Sequence, residues 1–308
     1  MELLIPTTRI EKAHRLSLTA YSAFLIIALS FASSCASAAP KESALRTFGG
    51  MRESARYTST LGLSNSIVPP RDNTTVITPH SLDGGSSLTV IAPAQWNAIA
   101  EHLTSVIKRA HGEYAELFGG IIPVTITFRL MDRKSFLEKT GAPQWTNALY
   151  YKQEILIPLH ESKPFDKVDL IRSVRHEYLH SVIHALSGGR CPGWLDEGLA
   201  QWAEGSENTA LHPALLKWIR YNPPVPLSLL QGGFTKLEGS MVPAAYAESL
   251  FASNLVISTF GFKAIRKYFD ELRSGKKKSD AFVTGFGVSE LTFERGLGAA
   301  LRAWENRR

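Results

Sequence analysis

The sequence predicts an α+β fold in which a small mixed β-sheet is followed by a mainly helical lobe. Between residues 86 and 165, short segments such as 124–130 alternate apolar and polar residues, which is typical of half-buried strands. From residue 166 onward, apolar residues recur at intervals of three and four, the period of partly buried helices. The chain has 308 residues and is 44% hydrophobic, which is enough for a substantial core.

Residues 1–38 are interpreted as a secretory signal peptide. Arg9, Lys12 and Arg15 precede a long uncharged stretch, and the small residues at 36–38 are typical of a cleavage site. Two alternatives stay open: lipidation at Cys35, and an uncleaved anchor, because the uncharged stretch is long enough to span a bilayer. We therefore expect an exported protein of the bacterial periplasm or cell envelope, or a secreted one. Any membrane contact would be made through this segment alone.

Residues 39–85 are predicted to be a linker or flexible extension. They are rich in Ser, Thr, Arg and Gly, contain Pro69 and Pro70, and show no sustained apolar period. The folded unit is expected at 86–308, with the sheet lobe at 86–165 and the helical lobe at 166–308.

The sheet lobe is expected to contain the following elements in order. A strand at 87–91 is followed by a helix at 95–118 and a second strand at 124–130. Asp132 can cap a short helix after that strand. A further strand or hairpin covers 148–158, where Pro158 can only end the strand or lie at a sheet edge.

The helical lobe is expected to begin with a helix opened by Asp166 or Lys167 and ended by Gly188 and Gly189, since glycine readily takes the left-handed cap conformation. A second helix starts near Leu195. Later helices are predicted at 213–219, 244–260, 265–272 and from a cap near Ser289, and their apolar stripes are assigned to the core.

Charge gives no support for nucleic-acid binding. The formal net charge is +6, and the run at 276–278 is a lysine triplet beside Gly275 and Ser279, which is typical of a solvated loop. Of the two cysteines, Cys35 lies in the leader, so Cys191 has no partner for an intramolecular disulfide after processing.

The candidate chemistry lies in the pentapeptide His-Glu-x-x-His at 176–180. His176 and His180 are four residues apart and therefore stack on one face of a helix, where two imidazole nitrogens can bind one metal ion. Glu177 lies beside that ion and can take a proton from water. The arrangement is typical of zinc metallopeptidases, but the pentapeptide also arises by chance, so a third ligand must decide.

There are three candidates for the third ligand. His184 stands about 12 Å along the helix axis from His176, which zinc–nitrogen bonds of about 2 Å cannot span. After Gly188 and Gly189, no further histidine follows until His212, which excludes the glycine-then-histidine ligand pattern. Glu197, on the next helix, remains, because a short turn can return it over the two histidines.

The block Trp-Leu-Asp-Glu-Gly-Leu-Ala at 194–200 resembles the segment that carries the glutamate ligand of the gluzincins, both in their aminopeptidase branch and in peptidase MA-like proteins. The resemblance implies a zincin-like fold and a Zn²⁺ ion bound by His176, His180 and Glu197. It also implies that Glu177 is the general base and that the substrate is a peptide or protein.

The resemblance implies further roles. Tyr246, in a Tyr-x-x-Ser helix, would stabilise an oxyanion, although such a tyrosine can equally be a packed residue with a solvated hydroxyl. Asp196 and Gln201 are candidate acceptors for the second N–H groups of the histidines. Residues 150–157 would line the cleft as an edge strand, or form an ordinary sheet edge.

The predicted activity is zinc-dependent peptide hydrolysis. The Gly-x-Met-Glu-Asn segment of the aminopeptidase branch is absent from the sequence, which favours an endopeptidase or a restricted processing enzyme. One alternative is a catalytically weak or inactive envelope interaction or assembly protein that keeps the fold. Another is a structural zinc site closed by Cys191 as a fourth ligand.

Overall fold

The computed structural model describes residues 74–120, 122–142, 146–159, 166–205, 211–234 and 237–307. Its sheet has five strands, in the order β1-β2-β3-β5-β4. The inner pairs β2/β3 and β3/β5 are parallel, whereas the outer pairs β1/β2 and β4/β5 are antiparallel. The strands are β1 Thr75–Ser81, β2 Ser87–Pro93, β3 Thr125–Asp132, β4 Leu149–Tyr151 and β5 Glu154–Leu159. The predicted small mixed sheet is therefore confirmed.

Strand β1 corrects the predicted start of the folded unit. It lies inside the segment 39–85 that the sequence indicated as a linker, and it pairs with β2 along its whole length. The strand contains Pro79, and its inward residues are only half-buried. Its sequence therefore does not show the alternation of large apolar and polar residues that identifies β2. The predicted signal peptide at 1–38 and the linker residues up to 73 lie outside the described residues.

A two-residue turn joins β4 to β5. Lys152 and Gln153 both have positive φ angles, of 49° and 62°, in the left-handed region that a tight hairpin turn of this kind requires. The turn pairs Tyr150 with Ile155. The pairing with β4 extends only to Leu156, so Pro158 faces no strand on that side and its missing N–H is tolerated.

Eight α-helices are present in the described part of the chain. Their bounds are α1 Asn97–Leu117, α2 Arg133–Thr140, α3 Lys167–Ser187, α4 Gly193–Ala203, α5 His212–Ile219, α6 Val242–Arg273, α7 Lys278–Phe286 and α8 Glu290–Glu305. Mainly helical structure thus follows the sheet, as predicted. Helix α7, which begins within the lysine triplet, was not predicted. None of the helices in the described ranges is long and apolar enough to cross a membrane.

The helix ends follow the predicted signals. The Asp132 side chain accepts a hydrogen bond from the Ser135 N–H at the start of α2, and Asp166 caps α3 in the same way. Gly188 ends α3 with a φ of 64°. Gly261, with a φ of 74°, interrupts α6, so the two helices predicted there form one element with a sharp kink.

The two predicted lobes share one continuous hydrophobic core. Helix α1 lies between the sheet and α3, and it buries Leu103, Ile107 and Tyr114 in that position. The closest helix contact joins α4 to α6, where Gly198 faces the Ser249 carbonyl. The core therefore fixes α3 and α4 against the sheet on one side and against α6 on the other.

Gly198→Ala is expected to destabilise the fold by about 1–3 kcal/mol, because the added Cβ cannot be accommodated without backbone movement. That Cβ would lie 2.1 Å from the Ser249 carbonyl oxygen and 2.2 Å from the Ser253 hydroxyl. The free energy of unfolding, measured with a chemical denaturant, checks this. Gly112→Ala is the matched control, since a Cβ on that helical glycine meets nothing within 4 Å and should be neutral or stabilising. Equal stability of both variants would contradict the close contact.

Candidate active site

Helix α3 places the two predicted histidine ligands side by side. The rings of His176 and His180 are 4.8 Å apart between centroids and are nearly perpendicular. One turn of helix separates them, so both Nε2 atoms point to the same side. Both side chains are largely buried.

Helix α4 returns the third predicted ligand to the same point. Oε2 of Glu197 lies 3.7 Å from Nε2 of His176 and 3.9 Å from Nε2 of His180. Atoms bound to one zinc ion at about 2 Å lie at most about 4 Å apart, so both distances fit a shared ion. Among the described residues, these three side chains form a set whose ligand atoms all lie within 4.8 Å of one another.

The outer nitrogens of the histidines are fixed by carboxylates. A carboxylate can only accept, so His176 Nδ1–H donates to Glu204 Oε1 at 3.0 Å and His180 Nδ1–H donates to Asp196 Oδ1 at 2.8 Å. This leaves each Nε2 as the unprotonated nitrogen that a metal needs. Asp196 was predicted for this role.

The prediction that Gln201 accepts from a ligand histidine is wrong. Its Nε2 instead donates to the backbone carbonyl oxygens of Glu197 at 3.2 Å and Tyr246 at 3.0 Å. The partner of His176 is Glu204, which sequence reasoning missed. The signal was its position: Glu204 lies two turns after Glu197 and therefore on the same face of the helix.

Two arginines of α3 hold the end of α4 in place. Arg172 Nη2 donates to Glu204 Oε2 at 2.6 Å, and Arg175 Nε donates to the Ala203 carbonyl at 2.8 Å. Arg175 also pairs with Glu113 of α1. The position of Glu204 next to His176 is thus set by contacts from the ligand-bearing helix itself.

Glu177 lies beside the three ligands in a buried position. The residue is 9% exposed, and its Oε2 accepts a hydrogen bond of 2.6 Å from the backbone N–H of Tyr150 in β4. Burial raises the pKa of Glu177 above its usual value, and the charges of His176 and His180 offset this only in part. Sequence reasoning predicted Glu177 but not its backbone partner.

The charge balance of this cluster favours a bound cation. Burial lowers the pKa of His180, but the Asp196 carboxylate and then Glu197 more than reverse this and raise it to about 9. Hydrogen bonds to Glu197 and Glu204 likewise raise the pKa of His176 in spite of burial. A positive charge between these groups is therefore stabilised, and a divalent metal ion can supply it in place of the protons.

Tyr246 lies at the start of α6, next to the cluster. Burial, together with the negative charges of Glu197 and Glu177, raises the pKa of Tyr246, so its hydroxyl stays protonated at neutral pH. The ring packs edge-on against Phe234, with centroids 4.9 Å apart. Within the described residues no hydrogen bond is made by the hydroxyl, which leaves it free to donate to a bound substrate.

The remaining candidates do not join the cluster. His184 is exposed, and its ring meets that of Tyr150 at 6.1 Å between centroids. Cys191 is partly buried, with Sγ 3.6 Å from the Pro192 carbonyl oxygen, and burial raises the pKa of its thiol. It is not among the side chains that surround the three ligand atoms, so the alternative of a structural site closed by Cys191 has no support in the described residues.

A comparison with known families shows to which protein superfamily the chain belongs. A sequence profile described as the peptidase MA superfamily matches residues 142–304, just over half of the chain. The chain belongs to the peptidase MA superfamily. The profile covers α3, α4 and α6, and with them the three ligand candidates, Glu177 and Tyr246. The peptidase MA resemblance drawn from the two sequence blocks is thus confirmed.

Two solved structures are similar to this peptidase MA chain. Aminopeptidase A from Legionella pneumophila, in complex with aspartic acid, is 16% identical, with a TM-score of 0.46, over 73% of this chain and 28% of that one. The M1 zinc metallopeptidase from Deinococcus radiodurans is 16% identical, with a TM-score of 0.40, over 76% of this chain and 51% of that one. This chain therefore spans between about a quarter and a half of the length of those proteins. No curated protein matches.

Glu204→Gln is expected to weaken zinc binding by about 10–100-fold, because the amide is a poorer acceptor for His176 Nδ1–H and no longer pairs with Arg172. Zinc affinity is measured by competition with a chromophoric chelator. Glu116→Gln, which makes the same change at an exposed position of α1, is the control. An unchanged affinity for the Glu204 variant would show that the hydrogen bond does not orient the ligand.

Proposed function

We propose that this peptidase MA superfamily member is a zinc-dependent endopeptidase. The observation that supports this most directly is the convergence of His176, His180 and Glu197 around one point, with the buried carboxylate of Glu177 beside it. Two neutral imidazole nitrogens and one carboxylate are the ligand chemistry of a catalytic zinc site, in which a fourth position is left open.

The residues around the site can be given chemical roles. Zinc, when bound, would supply a Lewis acid that acidifies water and polarises a scissile carbonyl. Glu177 would accept a proton from the attacking water and pass it to the leaving amine, because burial raises its pKa above the usual value and so makes the carboxylate a stronger base. Tyr246 would donate a hydrogen bond to the developing oxyanion.

The peptide would be presented by the edge of the sheet. Strand β4 lies at one edge of the sheet. The Tyr150 N–H is on the side of β4 that has no neighbouring strand, and it donates to Glu177. An extended substrate that pairs with such an edge would have its backbone close to the general base. Because the sequence lacks the segment with which the aminopeptidase branch binds a free amino end, we propose internal cleavage of peptides or of a restricted protein substrate.

A digest of an unbiased peptide library by the purified, zinc-loaded protein tests this proposal. Cleavage at internal bonds, lost on treatment with a chelator and restored by Zn²⁺, is expected. Removal of single residues from the amino end would instead favour an aminopeptidase. If neither wild type nor a Glu177→Gln variant cuts any peptide while both bind zinc, the protein is better described as a zinc-containing interaction or assembly factor.

Tyr246→Phe is expected to lower kcat by about 10²–10³-fold with little change in KM, because only the oxyanion contact is removed. Steady-state kinetics on a peptide found in the digest check this. Tyr221→Phe, at a tyrosine that is 78% exposed, is the control. A normal kcat for the Tyr246 variant would assign this tyrosine to packing against Phe234.

We also propose that the protein acts outside the cytoplasm, on the basis of the predicted leader at 1–38. Fractionation of cells that produce the full chain, with the amino terminus of the processed protein read by mass spectrometry, tests this. A product that begins at Ala39 is expected. A lipid on Cys35 or an intact leader would support one of the two alternatives.

A further inference from the structure

A cavity lies on the side of α6 that faces away from the zinc ligand candidates. Its volume is about 390 Å³, and it is open to solvent. The loop at 224–226 forms one wall and helix α8 forms another, with Glu248 of α6 between them. The lining residues that matter are Pro224, Val225, Glu248, Glu294, Arg295 and Arg302.

Glu248 is the unusual group in this cavity. The residue is fully buried, with 0% of its surface exposed. Its Oε2 accepts a hydrogen bond of 2.8 Å from Val225 N–H, but its Oε1 is buried without any hydrogen-bond partner among the described residues. A buried carboxyl oxygen without a donor costs free energy, which a ligand with a donor group would recover.

A second carboxyl group lies close to it. Glu294 Oε1 accepts from Leu227 N–H at 2.7 Å, so the two glutamates hold alternate amides of the same loop. Burial and then the negative charge of Glu294 raise the pKa of Glu248 to about 8, although the Val225 N–H opposes this. Glu248 therefore carries a proton at neutral pH, which a cationic ligand group could replace.

The rim has the opposite charge. Arg295 and Arg302 are exposed side chains of α8, and neither forms an ion pair within the described ranges. Carboxyl groups at the floor and guanidinium groups at the rim make a bipolar site. Pro224 and Pro226 provide apolar surface between the two.

The cavity is separate from the candidate active site. Tyr246, whose pKa responds to Glu177 and Glu197, lies two residues before Glu248 on α6. At about 100° per residue, the two side chains leave the helix about 200° apart. Glu248 therefore takes no part in the proposed hydrolysis.

We propose that this cavity binds a small zwitterion with a primary ammonium group and a carboxylate, the chemistry of a free α-amino acid. A rotation of the Glu248 side chain brings Oε1 to the cavity, where the ammonium group donates to it and to Glu294, and the carboxylate pairs with Arg295 and Arg302. An apolar side chain of moderate size contacts Pro224 and Pro226. An amine alone would use only the floor and an anion alone only the rim, so each should bind more weakly than the zwitterion.

Isothermal titration of the zinc-loaded full chain tests this with three matched probes. L-leucine carries both charged groups, 3-methylbutylamine lacks the carboxylate, and 4-methylpentanoate lacks the ammonium group. Leucine is expected to bind at least about tenfold more tightly than either fragment, since each loses a charged hydrogen-bonding group. Titration in buffers of different ionisation enthalpy should show that leucine releases protons at neutral pH as Glu248 ionises.

Glu248→Gln is the decisive variant. Its amide oxygen can still accept from Val225 N–H, so its melting temperature checks that the loop is intact. Leucine binding should weaken by about 10–100-fold and proton release should disappear. The Glu177→Gln variant should bind leucine as the wild type does, which separates this cavity from the candidate active site.

Three results would overturn the proposal. The first is no heat with any of the three probes, which would leave water as the occupant of the cavity. The second is unchanged leucine binding by a folded Glu248→Gln variant. The third is 4-methylpentanoate or 3-methylbutylamine binding as tightly as leucine, which would assign the cavity to an anion or to an amine. None of these results bears on whether the protein is a peptidase.

Discussion

Glu177→Gln is expected to lower kcat/KM for peptide cleavage by about 10²–10⁴-fold while zinc stays bound. The amide has nearly the same volume as the carboxylate, and its oxygen can still accept from Tyr150 N–H. The variant therefore keeps the local structure but cannot take a proton from water. Cleavage of a fluorogenic peptide gives the rate, and metal analysis of the same sample gives the zinc content.

The exposed Glu116→Gln variant serves as the matched control for this loss, because it makes the same chemical change far from the site. It should retain the wild-type rate. If the Glu177 variant cleaves as fast as the wild type with a full complement of zinc, Glu177 is not the proton acceptor, and another group must be sought.

Glu197→Ala is expected to weaken zinc binding by roughly three hundredfold to several thousandfold, because one third of an apparent binding free energy of about 10–16 kcal/mol is about 3–5 kcal/mol. The backbone contact from Gln201 to residue 197 does not need the side chain, so α4 should stay in place. Peptide cleavage should fall to background at limiting zinc.

Chelator competition on wild type, Glu197→Ala and Glu177→Gln separates ligand from base. The pattern expected is weak binding for the first variant and normal binding for the second. Full zinc affinity without the Glu197 side chain would mean that another group completes the site, and the assignment of the third ligand would then be wrong.

The ligand set was predictable because each part has a local signal. The four-residue spacing of His176 and His180 fixes their common face, and the glycines after α3 fix where the chain turns. A short return then leaves few positions for Glu197. The alternation of β2 and β3 gave the sheet in the same way, from side chains on one face of each strand.

The missed features depend on contacts between distant residues, which local sequence patterns do not reveal. The bond from Tyr150 N–H to Glu177 uses the main chain, which looks the same at every residue. Glu248 lies on a helix whose apolar stripe predicts core residues. That its own carboxyl group is buried is apparent only from the packing of the folded chain. Strand β1 needs β2 as a partner before its half-apolar residues favour a strand.

The turn at Lys152 and Gln153 constrains the position of the proposed proton acceptor. Tyr150 lies on the same hairpin, so a longer or shorter turn would slide its amide along the sheet and remove it from Glu177. Insertions and deletions should therefore be poorly tolerated at this exposed turn. The length of this solvent-facing dipeptide, which lies outside the candidate metal site, therefore determines whether the amide can hold the acid–base group in position.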